Sequence, residues 1–422
     1  MKRCAWARAR LAELGAAPVE PPAAGGEEPH EAAWDRSGAL ALTGLPDRIL
    51  VPRAPAPQAI EGALLGLRSL APGADLSGLD ARLLGERAAL AGLSRRGATA
   101  PGGQARLVST RTGWIAPNLP RPDDWRSVPA WLEAEIEPGD WSALEREVAA
   151  RDAGELLARG RQLGLAVGCT GEEGAPRSWC VRSQLGEPTP APLRPWVLDL
   201  SALWAGPLCS DLLRRAGARV TKLESRARPD GARRGSPAFF DLLNAGKESV
   251  ALDLGDPRGR LQLKSLIERV DVVLESARPR ALSQLGVDAA AWVGGRAGRV
   301  WCSLTGYGRG DPQGGWVAFG DDAAVSGGLV EWPRSGPVFV GDAIADPLTG
   351  VHAALAVQAS LRRGGGELLD VALSAVAHLV AEAGLRRGGE PQTYLGVATP
   401  PSAPRRAAAA RPLGADNPEV LS

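Results

Sequence analysis

The chain has 422 residues, 44% hydrophobic and 23% charged, the composition of an ordinary globular protein with room for two or three domains. Its 49 basic against 48 acidic residues leave a net charge of +1, which argues against nucleic acid or another polyanion as the main partner. No apolar run approaches the roughly 20 residues that a membrane span needs. The five cysteines are scattered without a Cys-x-x-Cys, and His30, His352 and His378 give little material for a metal site. A reducing cytoplasm is the expected setting, with no disulfide framework, metal or membrane anchor.

In chain order, the basic start reads as a short helix or a disordered lead, because no signal-like apolar core follows it. Residues 15–33, rich in Ala, Pro, Gly and Glu, are expected to be flexible. A proline-rich loop runs to Pro57, and residues 59–70 then read as a helix with Ile60, Ala63, Leu64 and Leu67 on its apolar face. Residues 79–93 suggest another helix. Residues 105–119 alternate like a strand pair turning at Thr112-Gly113, and 124–165 read as helices anchored by Trp125, Trp131 and Trp141. The sharpest change in composition covers 168–194, where a linker is expected.

Beyond it the pattern alternates. Strands are expected at 196–200, 219–224, 249–254, 270–275 and 300–305, with helices at 208–216 and 257–269 between them. Such alternation predicts an α/β fold, a Rossmann-like open parallel sheet with helices on both faces. An extended run, Val338 to Val340, leads into Gly341-Asp342-Ala343-Ile344-Ala345-Asp346-Pro347-Leu348-Thr349-Gly350 and a helix over 351–361. Asp346 before Pro347 has an ordinary reading as a helix cap. It has a second as a nucleophile whose ionised form the helix dipole favours, with Pro347 and Gly350 leaving its surroundings open. The residues alone leave both open.

The stretch Ser326-Gly327-Gly328-Leu329, its turn and the helix after Asp346 have a counterpart about 289 positions earlier, in Ser37-Gly38-Ala39-Leu40 and its helix. There Pro57 and Gln58 stand where the second copy has its acid. Glu224 ends a strand where a ribose-binding acid would sit, but the preceding turn is Trp204-Ala205-Gly206-Pro207 and lacks the G-x-G-x-x-G of dinucleotide binding. Arg226, Arg228, Arg233, Arg234 and Lys247 read either as solvated charges or as ligands for phosphate beyond the carboxyl ends of the strands. No Gly-x-Ser-x-Gly or Cys-base pair stands out.

Val197-Leu198-Asp199-Leu200-Ser201, Ala205-Gly206-Pro207, Gly217-Ala218-Arg219-Val220-Thr221-Lys222-Leu223-Glu224 and Asn244-Ala245-Gly246-Lys247-Glu248-Ser249 follow one another in an order that resembles the opening half of the family III CoA-transferases. Asp271-Val272-Val273-Leu274-Glu275, Ser303-Leu304-Thr305-Gly306-Tyr307-Gly308, Ser326-Gly327-Gly328 and Asp346 to Gly350 continue the resemblance. The first part of the chain resembles the family's later pattern. The resemblance therefore divides the chain into a degenerate family-like segment with the smaller α+β domain (1–167), the linker (168–194), a leading half with sheet and nucleophile (195–385) and a tail (386–422).

The resemblance implies an acyl-CoA transferase that moves CoA between carboxylic acids through an anhydride and an aspartyl-CoA thioester on Asp346. It implies Ala205, Arg226 and Lys247 near the CoA, with Arg226 one residue beyond the family's basic position, where this chain has Ser225. Gly327 and Gly328 match a glycine loop that shields the intermediate. CoA is a substrate here, so no cofactor is expected; the partners are an acyl-CoA and an acceptor acid. The rearranged order leaves two assemblies open, a homodimer or a monomer that complements itself. Two other functions remain: a non-catalytic acyl-CoA-binding relative, and an α-methylacyl-CoA racemase, which lacks its histidine base here because residues 317–322 read Val-Ala-Phe-Gly-Asp-Asp.

Overall fold

The computed structural model describes residues 2–18, 28–172, 178–385, 391–404 and 408–422. The middle of the expected flexible lead and parts of the expected linker and tail lie outside the described residues. Seven strands form the central sheet: β1 (Cys180–Gln184), β2 (Trp196–Asp199), β3 (Arg219–Ser225), β4 (Glu248–Leu252), β5 (Val272–Glu275), β6 (Val300–Thr305) and β7 (Glu367–Ala372). Their order is β1-β7-β6-β5-β2-β3-β4. All pairs are parallel except β1 with β7, so an edge strand arises within the stretch expected as a linker. Val272 stands beside Val197 and Val300, and such runs of Val and Leu, buried on both faces, are what a covered parallel sheet requires. From β2 the chain goes to one side for β3 and β4, then returns to the other for β5, β6 and β7. The order therefore reverses between β2 and β5, where open α/β sheets receive ligands.

The site depends on six helices: α1 (Arg3–Glu13), α2 (Ala56–Leu70), α3 (Ala205–Arg215), α4 (Gly320–Ser326), α5 (Ala345–Arg363) and α6 (Leu373–Leu385). Fifteen of the nineteen residues of α5 are buried, which makes it the central helix. It packs against α2, α3 and α6. One core therefore unites Trp6, Leu11 and Ile60 of the first part with Leu208, Val272 and Leu355 of the second. A second core covers the other face of the sheet, with Leu198, Val273, Leu263 and Trp292.

The strand pair expected near Thr112-Gly113 forms: Val108–Ser109 runs antiparallel to Trp114–Asn118, which also pairs with Ala166–Cys169. With the helices Pro122–Leu132, Trp141–Ala149 and Ala153–Gln162 these strands make a small α+β unit around the fully buried Trp131. The unit docks on α4 through Gly168, where a Cβ would lie 2.2 Å from the Asp322 carbonyl oxygen.

The internal similarity also has a structural counterpart. Each copy runs through a short antiparallel hairpin, Gly44–Leu45 with Arg48–Val51 and Val330–Glu331 with Val338–Phe339, into a long helix, and Ala56 and Ala345 open those helices at the expected offset. The copies hold each other. Gly341 N–H donates to Thr43 Oγ1 at 2.9 Å, and Arg53 N–H donates to Glu331 Oε1 at 2.7 Å. At the tail, Asp416 and Asn417 bond to the backbone of Ser249 and Ala251 and cover the edge of β4.

α1 lies so close to α2 that a Cβ on Gly62 would sit 2.6 Å from Trp6 Cβ and 2.7 Å from the Arg3 carbonyl oxygen. Gly62→Val is expected to destabilise the protein by roughly 1–3 kcal/mol in urea unfolding. A variant as stable as the parent would show that α1 is not part of the core.

Candidate active site

The turn after β2 is built on buried charge. Lys247 Nζ donates to Asp199 Oδ2, Ser210 Oγ, Asn244 Oδ1 and the Pro207 carbonyl, and Lys222 Nζ pairs with Asp230 at 2.9 Å and donates to the Ser201 carbonyl. Burial alone would raise the Asp199 carboxyl, but the two lysines outweigh it and hold it down at about 2. These bonds fix the start of α3 and bring Ala205 to the floor of a cavity. They also account for Lys247, which turns inward and lines neither cavity described below.

α5 crosses α3 at Gly350, where a Cβ would come within 2.7 Å of the Ala205 carbonyl oxygen. Gly350 is thus a packing requirement, a different role from the open surroundings expected of it. The crossing sets Asp346, in the first turn of α5, above the carboxyl ends of β2 and β6. The loop before it is strained: Ala343 has φ +43°, its N–H donates to Asp321 Oδ1 at 2.8 Å, and its carbonyl accepts from Asp346 N–H at 2.9 Å. Leu203, at φ +69°, is the matching left-handed residue opposite, tied by its N–H to Asp230.

Asp346, half-buried, stands between two cavities and lines both, together with Leu203 and Phe319. The first, of about 270 Å³, lies at the switch point, walled by Ala202, Ala205, Ser276, Arg278 and Thr305 at the ends of β2, β5 and β6. The second, of about 430 Å³, is walled by Leu93, Trp204, Phe239, Arg87, Asn118 and Gly320, among others. The long α5, the small unit and the segment around residue 87 therefore meet at one carboxyl.

Arg87 binds the fully buried Asp342 with two bonds, at 2.8 and 2.5 Å. Burial raises Asp321 and Asp342, and each is opposed by Arg87. Burial likewise pushes the Asp346 carboxyl up to about 7; Arg87 and the Gly320 N–H oppose the shift, and the charges of Asp321 and Asp342 add to it. The expected pull of the helix dipole toward the ionised form is opposed here by desolvation and by two neighbouring carboxylates. Asp322, behind them, accepts from Asn118 Nδ2 at 3.0 Å and is pushed by burial up to about 8.

Of the residues predicted from the sequence, Ala205 and Asp346 come together. Arg226 is exposed on the loop after β3, outside both cavities. Gly327 and Gly328 also lie outside both: a Cβ on Gly327 would meet Ala377 Cβ at 2.5 Å, so it serves the packing of α4 on α6. Glu224 accepts from Asp230 N–H and Arg233, and so ties down the loop. Arg87, Asp321 and Asp342 were not anticipated. Asp342 and Asp321 stand close to the predicted helix start, but nothing local marks Arg87, 255 positions from its partner.

Fold and site together define an α/β protein with a ligand crevice at the switch point and a carboxyl on its rim. A family model described as CoA-transferase family III matches residues 196–410, just over half of the chain, and the chain belongs to that family. It is similar to the succinyl-CoA–D-citramalate CoA-transferase of Chloroflexus aurantiacus, 30% identical over 191 residues that cover 42% of this chain and 48% of that one. It is similar also to the succinyl-CoA:glutarate CoA-transferase of Mus musculus, 32% identical over 242 residues, 54% of this chain and 52% of that one. The chain spans about half the length of the curated relatives it matches. A solved CaiB/BaiF family protein from Brucella suis matches at 28% identity and TM-score 0.42, over 48% of this chain and 60% of that one. Among the described residues no helix is long and apolar enough to cross a membrane.

The raised Asp346 carboxyl has a consequence for stability. Its value is 3.8 unperturbed and about 7 in the fold, so ionisation favours the unfolded chain progressively across that interval and to a constant extent above it. Asp346→Asn is therefore expected to raise the melting temperature at pH 8 and to bring little change at pH 3.5. An equal effect at both values would show that the carboxyl is not desolvated.

Proposed function

We propose that this protein is an acyl-CoA transferase that moves CoA from one carboxylic acid to another, with Asp346 as the covalent nucleophile. The observation that carries the reading is the position of Asp346 between two cavities, reachable from both. The cavity at the switch point takes the CoA arm, with its thiol end toward Ala205 and Asp346. Arg278, exposed at its rim, supplies a cation for the phosphates. The other cavity takes the acyl group.

The Asp346 carboxylate attacks the thioester carbonyl, and the C–S electron pair leaves with CoA as the thiolate, giving a mixed anhydride. The thiolate then attacks the aspartyl carbonyl and releases the first acid as its carboxylate. The acceptor carboxylate attacks the resulting aspartyl-CoA thioester, expels the thiolate and forms a second anhydride. Attack of the thiolate on the acceptor's acyl carbon regenerates Asp346. Covalent splitting suits this exchange because a carboxylate acceptor is a weak nucleophile and a closed site keeps water from the anhydride. A carboxyl at about 7 is a more basic nucleophile than an exposed aspartate and is still substantially ionised at neutral pH.

The names of the relatives support CoA transfer between acids, and the first part of the chain supplies Arg87, Asn118 and Arg121 to the cavity walls. That contribution supports a self-complemented site over one that needs a second subunit. Incubation with acyl-CoA followed by hydroxylamine is expected to leave a hydroxamate on Asp346, seen by mass spectrometry. Asp346→Ala is expected to lower transfer by roughly a thousandfold or more, as loss of a nucleophile does, while CoA affinity changes little. Retained transfer in that variant would remove Asp346 from the mechanism. Tight CoA binding without adduct or transfer would instead identify a binding protein.

A further inference from the structure

The cavity walls bear on which acids are exchanged, an inference that rests on the transfer reading above. We infer that the acyl group is uncharged and apolar, branched or aromatic, and not a dicarboxylic one. Its cavity, of about 430 Å³, falls in the size range of ligand sites and is walled by Leu93, Ala232, Phe239, Trp204 and Phe319. Trp204 and Phe239 meet edge to face at 5.3 Å and form a rigid aromatic wall. Trp204 stands in the turn that opens α3, so this wall borders the reacting carboxyl as well.

A second carboxylate on the acyl chain would need a cation there. Among the described residues that line this cavity, Arg87 is the one cationic side chain, and its guanidinium is committed through two bonds to Asp342. Asp342 is fully buried, so drawing Arg87 away would leave an uncompensated carboxyl. Asp321 and Asp346 share the same wall, so an entering carboxylate meets two acids and one arginine already paired with a third. The remaining walls are mainly apolar, with Gln104, Asn118 and Ser236 among them, and an apolar acyl group loses water against them on binding.

The test uses isotope exchange between an acyl-CoA and its own labelled free acid, so that donor and acceptor present the same acyl group. Isovaleryl and phenylacetyl pairs are expected to exchange roughly 100-fold faster than the succinyl pair, given the cost of a desolvated unpaired charge. Succinyl exchange as fast as isovaleryl, or a preference for an acyl chain with a terminal ammonium, overturns the inference. Direct binding keeps the two readings apart. Isovaleryl-CoA is expected to bind more tightly than succinyl-CoA even if no pair exchanges; absence of all exchange would sink the transfer reading, whereas equal affinities would sink this one. Leu93→Arg, a half-buried position on the rim, places an unpaired cation in the cavity and is expected to move the succinyl-to-isovaleryl ratio at least tenfold toward succinyl. An unchanged ratio means that the acyl group lies elsewhere.

Discussion

The close crossing of α5 over α3 at Gly350 is the constraint on which the site depends. With any larger residue there, a Cβ would lie 2.7 Å from the Ala205 carbonyl oxygen and the two helices would have to move apart. Asp346, one turn earlier, would then leave the rim of the switch-point cavity. The buried network of Asp199, Lys222 and Lys247 serves the same end from below, because it fixes the turn from which α3 starts. Charges are buried at this turn only because each has several partners; deprived of one, the others would carry an unpaired charge.

Above that frame the site is crowded with acids. Asp321, Asp342 and Asp346 surround one arginine, and desolvation raises all three. An arrangement of this kind costs stability, and it is held by packing that has nothing to do with charge: the buried length of α5 and the glycine at Gly320, where a Cβ would lie 2.3 Å from Asp346 Oδ2. Strained backbone at Ala343 and Leu203 flanks the same carboxyl. Such strain is usual where function and stability compete.

The two similar segments meet around α2 and α5, joined by the bonds from Arg53 N–H to Glu331 and from Gly341 N–H to Thr43. Only the second copy opens its helix with an acid. The first has Pro57 and Gln58 there and contributes in another way, since its helix packs on α5 and the segment that follows it carries Arg87 into the site.

By itself the sequence determined what depends on near neighbours. The alternation of strands and helices, the helix start at Asp346, the hairpin at Thr112-Gly113 and the repeat at an offset of about 289 are all written in local composition and periodicity. The edge strand at Cys180–Gln184 was not legible, because a strand formed on the rim of a sheet need not show an apolar pattern. Only the tertiary structure decided that Lys247 turns inward, that Gly327 packs a helix and that Arg87 reaches Asp342 across 255 positions. It also decided the surroundings that raise the Asp346 carboxyl. A helix terminus and its dipole can be read from a dozen residues, but the desolvation that opposes them comes from every segment packed around the carboxyl.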